Sequence, residues 1–210
     1  MDLMCKRHRP LERCGSVESE GDVELKFHDV PLSGVVAQAG TVIQTLVPIP
    51  QGVGKNERVG QSVNIRHVSC RYFIALPDMN STTFPKGDIV RFIWLVDRQY
   101  NGSQLLASDV LETANFDSHP NLSNKDRFLV LSDRTVAINY PSVSVGDAGN
   151  FVSPSVLLAS EFYADLDVLV SYEGPTGSAS EISSSNVCLL GISGQGSASF
   201  SGVIRSRYTD

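Results

Sequence analysis

The stretch 89–139 constrains this chain more than any other part of it, because two strongly apolar strand patterns bracket one short helical one. It contains RFIWLVDRQYNGSQLLASDVLETANF (91–116) and, after a polar connection, DRFLVLSDRTVAIN (126–139). In the segment 89–97, Val90, Phe92, Trp94 and Val96 fall on one face of an extended strand, and Ile93 and Leu95 on the other. Strand side chains alternate between faces, so a strand apolar on both must be covered on both. Residues 127–139 read as a further strand, with Phe128 and Val130, then Val136 and Ile138, on one side. Between the two, Asn101-Gly102 turns the chain. Ser108 or Asp109 then stands where it can cap a short helix bearing Val110, Leu111 and Ala114, and Glu112 follows Asp109 at the spacing that supports a helix start.

Elsewhere Val, Ile, Thr, Phe and Tyr gather in short runs separated by Gly, Pro, Asn and Ser, the signature of strands and turns. Strand patterns cover 41–49, 61–76, 89–97, 127–139, 152–163, 165–172, 186–192 and 201–208. In 61–76, Val63 and Ile65 share one parity while Val68, Cys70, Tyr72, Ile74 and Leu76 share the other, which predicts a bulge or bend at Arg66-His67. The Gly- and Ser-rich stretch 173–185 reads as a solvent-facing, mobile loop. Eight strands with unequal connections predict an all-β fold. The expected form is an eight-stranded single jelly-roll sandwich with one short helix inserted between the middle strands, not an immunoglobulin sandwich or a meander barrel. With 210 residues and 41% hydrophobic content, one core suffices. The expected division is a mobile N-terminal arm over 1–30 and a shell-like domain over 31–210.

Charge limits the partners. The formal net charge of -6 argues against a protein whose whole surface grips nucleic acid. The N-terminal segment splits into a basic front, Lys6, Arg7, His8, Arg9 and Arg13, and an acidic rear with Glu18, Glu20, Asp22 and Glu24. Cys70 and Cys188 lie in apolar strand patterns and read as small buried hydrophobes with free thiols. Cys5, His8 and Cys14 lack a fourth ligand nearby for zinc. No apolar run is long enough to span a bilayer and no secretory leader is evident, so a soluble protein without a membrane partner is expected.

Catalytic motifs fail one by one. Gly54-Lys55-Asn56 resembles the end of a phosphate-binding loop, but Ile49 stands where the first glycine belongs and Asn56 where a hydroxyl belongs. Gly191, Gly194 and Gly196 complete no dinucleotide fingerprint, and Ser193 lacks the frame of a nucleophile elbow. Asp97, Gln99, Asn101 and Gly102 open like a calcium-binding hand, yet its closing glutamate position is Ser108. The histidines at 8, 28, 67 and 119 have no metal-site spacing and read as surface or locally bonded groups. No enzyme is expected. The dipeptides Asp97-Arg98 and Asp133-Arg134 read either as solvated strand ends or as ion pairs to neighbouring subunits.

The 89–139 pattern, read with IPQGVGKNERVGQSVNI at 49–65 before it and RYTD at 207–210 after it, resembles the coat proteins of satellite viruses related to satellite tobacco necrosis virus. The same shell domain recurs in small circular single-stranded DNA viruses. The likeness covers about 40–210 and is strongest in 51–63, 90–116, 127–139, 168–174 and 208–210. It implies a jelly roll that assembles with itself into the smallest icosahedral shell and encloses single-stranded DNA or RNA. It also implies a place in the virion, with assembly in the host cytoplasm or nucleus. Nucleic-acid contacts are then expected from Lys6, Arg7, Arg9 and Arg13 in the arm and from Arg205 and Arg207 on an inner wall. The family binds calcium between subunits, which implies Asp210 as a ligand with carbonyls around Val59 and Ser62. The acidic residue that follows Gln-Gly in the family is Val53 here, which removes one metal site. The competing reading is a non-enzymatic jelly-roll binding module, carbohydrate-binding or cytokine-like. Such a module exposes aromatics, whereas Trp94 and most Phe residues here lie in strand patterns.

Overall fold

The computed structural model describes residues 24–82, 87–146 and 149–210. In chain order they form β1 (Lys26–Val35), β2 (Thr41–Ile43), β3 (Ser62–Leu76), β4 (Met79–Ser81), β5 (Asp88–Asp97), α1 (Ala107–Val110), β6 (Phe128–Ile138), β7 (Ser144–Val145), β8 (Phe151–Ser153), β9 (Val156–Ser171), β10 (Asn186–Ser193) and β11 (Ser199–Thr209). Two four-stranded sheets, ordered β1-β11-β3-β9 and β2-β10-β5-β6, pack around one hydrophobic core, and β4, β8 and β7 make a small third sheet. Every strand pairing within the sheets is antiparallel.

The core follows from alternation. Inward residues of β3, β9 and β11 meet inward residues of β5 and β10, and the filling is largely aromatic. Trp94 of β5 stacks on Phe162 of β9, with ring centroids 4.3 Å apart and planes 3° from parallel. Tyr72 of β3 lies edge-on to Phe92 at 5.5 Å and 6.1 Å from Trp94. Phe92 in turn meets Phe200 of β11 at 5.8 Å. The second apolar face of β5 also has its cover: Ile93 and Leu95, with Cys188, Leu190 and Ile192 of β10, bury against Leu105, Ala107, Val110 and Leu111 of the insertion that precedes β6. Cys70 and Cys188 are free and buried, and burial pushes the Cys70 thiol up to about 12.

Several sequence expectations change. The strand count of eight is replaced by eleven among the described residues, eight of them in the two large sheets. The patterns 152–163 and 165–172 belong mostly to one unbroken strand, β9, because Asp165 and Asp167 are simply outward residues of an edge strand. The arm boundary at 30 falls inside β1, which pairs with β11 from Lys26↔Tyr208 to Val35↔Ser199. The pattern 41–49 keeps only three residues as β2. The bulge expected at Arg66-His67 is present: β3 shifts register against β9 between Ile65 and His67, and against β11 opposite the same point. In α1, Leu106 occupies the cap position and Asp109, inside the helix, accepts the Leu106 N–H at 2.9 Å. Leu111 leaves α1 extended, bridging to Pro120, so Glu112 and Ala114 lie outside it.

The loop 173–185 is anchored, not free. Tyr172 bridges to Ile182, and the Gly177 N–H donates to the Glu181 carboxylate at 2.7 Å. Gly177 has φ +73°, and a Cβ there would lie 2.4 Å from the Ile49 carbonyl oxygen, so only glycine fits. Arg58 binds the same region. Fully buried, it donates from Nε to the Ile49 carbonyl at 3.1 Å, from Nη1 to Gly60 at 2.5 Å and from Nη2 to Gly174, with its guanidinium 4.4 Å from the Tyr172 ring centroid.

Asp88, also buried, organises the opposite turn. Its carboxylate accepts the Ser193 hydroxyl at 2.6 Å, the Gln195 N–H at 3.0 Å and the Ala198 N–H at 3.1 Å, which fixes the β10–β11 connection. Burial pushes this carboxyl upward, but the donors of Ser193, Gln195 and Ser197 outweigh it and hold the group below its ordinary 3.8.

Two outcomes follow. Phe162→Ala removes one partner of the inter-sheet stack and lowers the unfolding free energy by about 3–5 kcal/mol in urea titration; a loss near zero contradicts the packing. A carboxyl depressed on folding contributes stability that is present above its unfolded value and lost as pH falls through the lower folded one. Asp88→Asn therefore costs about 2 kcal/mol at neutral pH and flattens the loss of stability below about pH 4. An acid limb identical to that of the wild type contradicts the assignment.

Candidate functional site

The outward face of the β1-β11-β3-β9 sheet gathers the polar residues that alternation excludes from the core. On β11, Arg205 and Arg207 point out while Ile204, Ser206 and Tyr208 point in. Register sets Arg207 opposite His67, Arg205 opposite Ser69 and Val203 opposite Arg71. On the far side of β3, His67 faces Asp165, Ser69 faces Tyr163 and Arg71 faces Glu161. A groove of about 720 Å³ runs across these rows, lined by Arg71, Arg205 and Arg207, by Asp29 and Glu161, and by Arg134 reaching over from β6.

The four guanidiniums are not equivalent. Arg205 is neutralised by Asp29 through two hydrogen bonds of 2.7 Å and lies 4.7 Å from the Phe27 ring centroid. The Arg205 hydrogen bond holds the Asp29 carboxyl below its usual range. Arg71 and Arg207 enter no ion pair among the described residues. Arg134 donates only a long bond, 3.5 Å, to the Glu161 carbonyl. Beside them the Tyr163 hydroxyl donates to Asp165 at 2.6 Å, and His67 Nδ1 lies 2.6 Å from the same carboxylate. These two hydrogen bonds, Tyr163 first, hold Asp165 below its ordinary value.

Of the residues expected at a nucleic-acid surface, Arg205 and Arg207 thus come together on one groove, and Lys6, Arg7, Arg9 and Arg13 lie outside the described residues. Arg71 was legible as an outward residue once the phase of β3 flips at the bulge. Arg134 was not, because it arrives from the other sheet. The Asp-Arg dipeptides resolve differently from either expectation. The Asp97 carboxylate is buried and bound within the chain by Arg127 at 2.9 and 2.7 Å, and Asp133 by Arg91 at 2.7 and 2.5 Å.

Asp210 and Val59 also meet, at the end of the sandwich where β1 begins. The Asp210 carboxylate lies 2.5 Å from Lys26 Nζ and 3.4 Å from the Val59 N–H. The Val59 carbonyl accepts instead from Gln51 Nε2 at 3.1 Å, and Ser62 opens β3 opposite Ser171. Calcium asks for six to eight oxygen ligands. A carboxylate met by an ammonium and an N–H does not fit that requirement.

The chain belongs to the satellite tobacco necrosis virus coat protein family, whose model matches residues 20–210. It is therefore a viral coat protein, with its place in the virion. No curated protein matches it. Among solved structures, a chain of the T13 IBDV viral particle is similar at 10% identity and a TM-score of 0.19 over 88% of this chain. This chain spans 39% of that one, and so distant a likeness carries no argument. No helix among the described residues is long and apolar enough to cross a membrane.

Proposed function

We propose that this coat protein is a single jelly roll whose copies assemble into the smallest icosahedral shell around a single-stranded nucleic acid, DNA or RNA. The observation that carries this reading is the family match over 20–210, which takes in both large sheets entirely. The strand order supports it: among the strands of the two large sheets the chain changes sheet at every step except β5 to β6, so all sheet neighbours but that pair are separated in sequence by strands of the other sheet. One folded unit making repeated contacts around closed symmetry axes suffices to build a container.

The groove supports the first large sheet as the side that meets the packaged strand. Guanidiniums displace counterions from phosphates, and an exposed ring gives a base a surface on which to stack. Arg71, Arg134 and Arg207 provide the first, and Tyr163, 63% exposed, the second. Lys6, Arg7, Arg9 and Arg13 supply the remaining positive charge from the N-terminal segment. Because the chain is acidic as a whole, such contact is local and sensitive to salt.

Light scattering and sedimentation of the purified full chain test the assembly. The expected result is one homogeneous particle with a diameter on the order of 20 nm. A monomer or trimer under every salt and pH condition contradicts it. For the groove, Arg207→Ala and Arg71→Ala each weaken the binding of single-stranded oligonucleotides and reduce the salt slope by about one. Arg205→Ala, whose charge Asp29 already neutralises, changes that slope less. Equal slopes for all the variants and the wild type remove the groove from the interface.

A further inference from the structure

We propose that the Lys26 ammonium is the cation of the joint at Asp210, a tethered charge standing where the family resemblance implies calcium. Lys26 opens β1 and pairs with Tyr208 of β11, which brings its side chain alongside the residues that end β11. Its Nζ lies 2.5 Å from Asp210 Oδ2 and donates to the Glu57 carbonyl at 3.1 Å. The Lys26 and Asp210 side chains are 14% and 23% exposed, so the contact is partly screened from water. One ammonium thereby ties together the start of β1, the end of β11 and the 52–60 loop.

The chemistry of the joint suits an ammonium and not a divalent metal. A lysine presents three donors, and here a carboxylate and a carbonyl take two of them. The Val59 N–H also points at Asp210, which places a second donor where a metal needs an oxygen. Glu57 meets the lysine through its backbone carbonyl, while its carboxylate accepts the Gly54 N–H at 2.7 Å. A calcium ion placed on Asp210 would face the lysine charge at close range and would have to expel it. Within the single chain the ammonium closes the joint without metal.

Thermal unfolding of the purified full chain tests this, using the wild type, Lys26→Met, Asp210→Asn and the double variant, each in chelator and in millimolar calcium chloride. The wild-type midpoint is expected to be the same in both solutions. Each single variant is expected to unfold about 1–4 °C lower. The double variant should unfold no lower than the weaker single one, because both substitutions break one contact. The proposal is overturned if chelator lowers the wild-type midpoint and calcium restores it in a way that Asp210→Asn abolishes. It is equally overturned if the two single losses add in the double variant, since the ammonium and carboxylate would then act separately.

Discussion

The aromatic column between the sheets is the interaction on which the rest of this structure depends. Phe200, Tyr72 and Phe162 descend from one sheet, and Phe92 and Trp94 rise between them from the other. Each ring buries a large apolar area, and interleaving rings from both layers makes sliding of one sheet over the other costly. β5 supplies two of the five rings, and its opposite face is sealed by the insertion before β6. Its position is fixed from both sides. With it is fixed the parity of every strand that packs across from it, including the outward placement of Arg71 and Arg207.

Charged groups then fasten the periphery, mostly inside the chain. Arg91 joins Asp133 and also donates to the Phe116 and Ser118 carbonyls, so the insertion is tied to β5 and β6 at once. Arg58 is the more unusual case, a buried guanidinium whose bonds go to backbone carbonyls and an aromatic face. Leaving such a charge without acceptors would be very unfavourable, so the three carbonyls must stay where they are. Loops that looked free by composition are in this way held in single conformations. In the proposed shell such loops would offer a neighbouring copy a shape already set.

What was legible in the sequence was the apolar interior, and what was not was pairing. The alternation in 61–76 announced both β3 and its phase change at Arg66-His67, because burial enforces parity on a central strand. The doubly apolar 89–97 announced a covered β5. β1 escaped notice because it is an edge strand: only Leu32 is fully buried, and Pro31 and Gly34 interrupt its pattern. β9 was divided for a related reason, its outward aspartates being permitted on an edge. At the groove, Arg205 and Arg207 were found from the family resemblance. Their unequal charge state and the approach of Arg134 depend on which strands lie side by side, which local pattern does not encode. Asp210 meets the Val59 N–H and not the Val59 carbonyl that the resemblance implies as a ligand, and the lysine beside it comes from the opposite end of the chain, at the start of β1.

In the proposed assembly this sandwich is a tile, with the β1-β11-β3-β9 face turned toward enclosed nucleic acid. Cryo-electron microscopy of particles formed by the full chain tests it most directly. Closed icosahedral shells are expected in which that face lines the lumen, with nucleic-acid density against Arg71 and Arg207. Shells with that face turned outward, or isolated molecules throughout the sample, would contradict it.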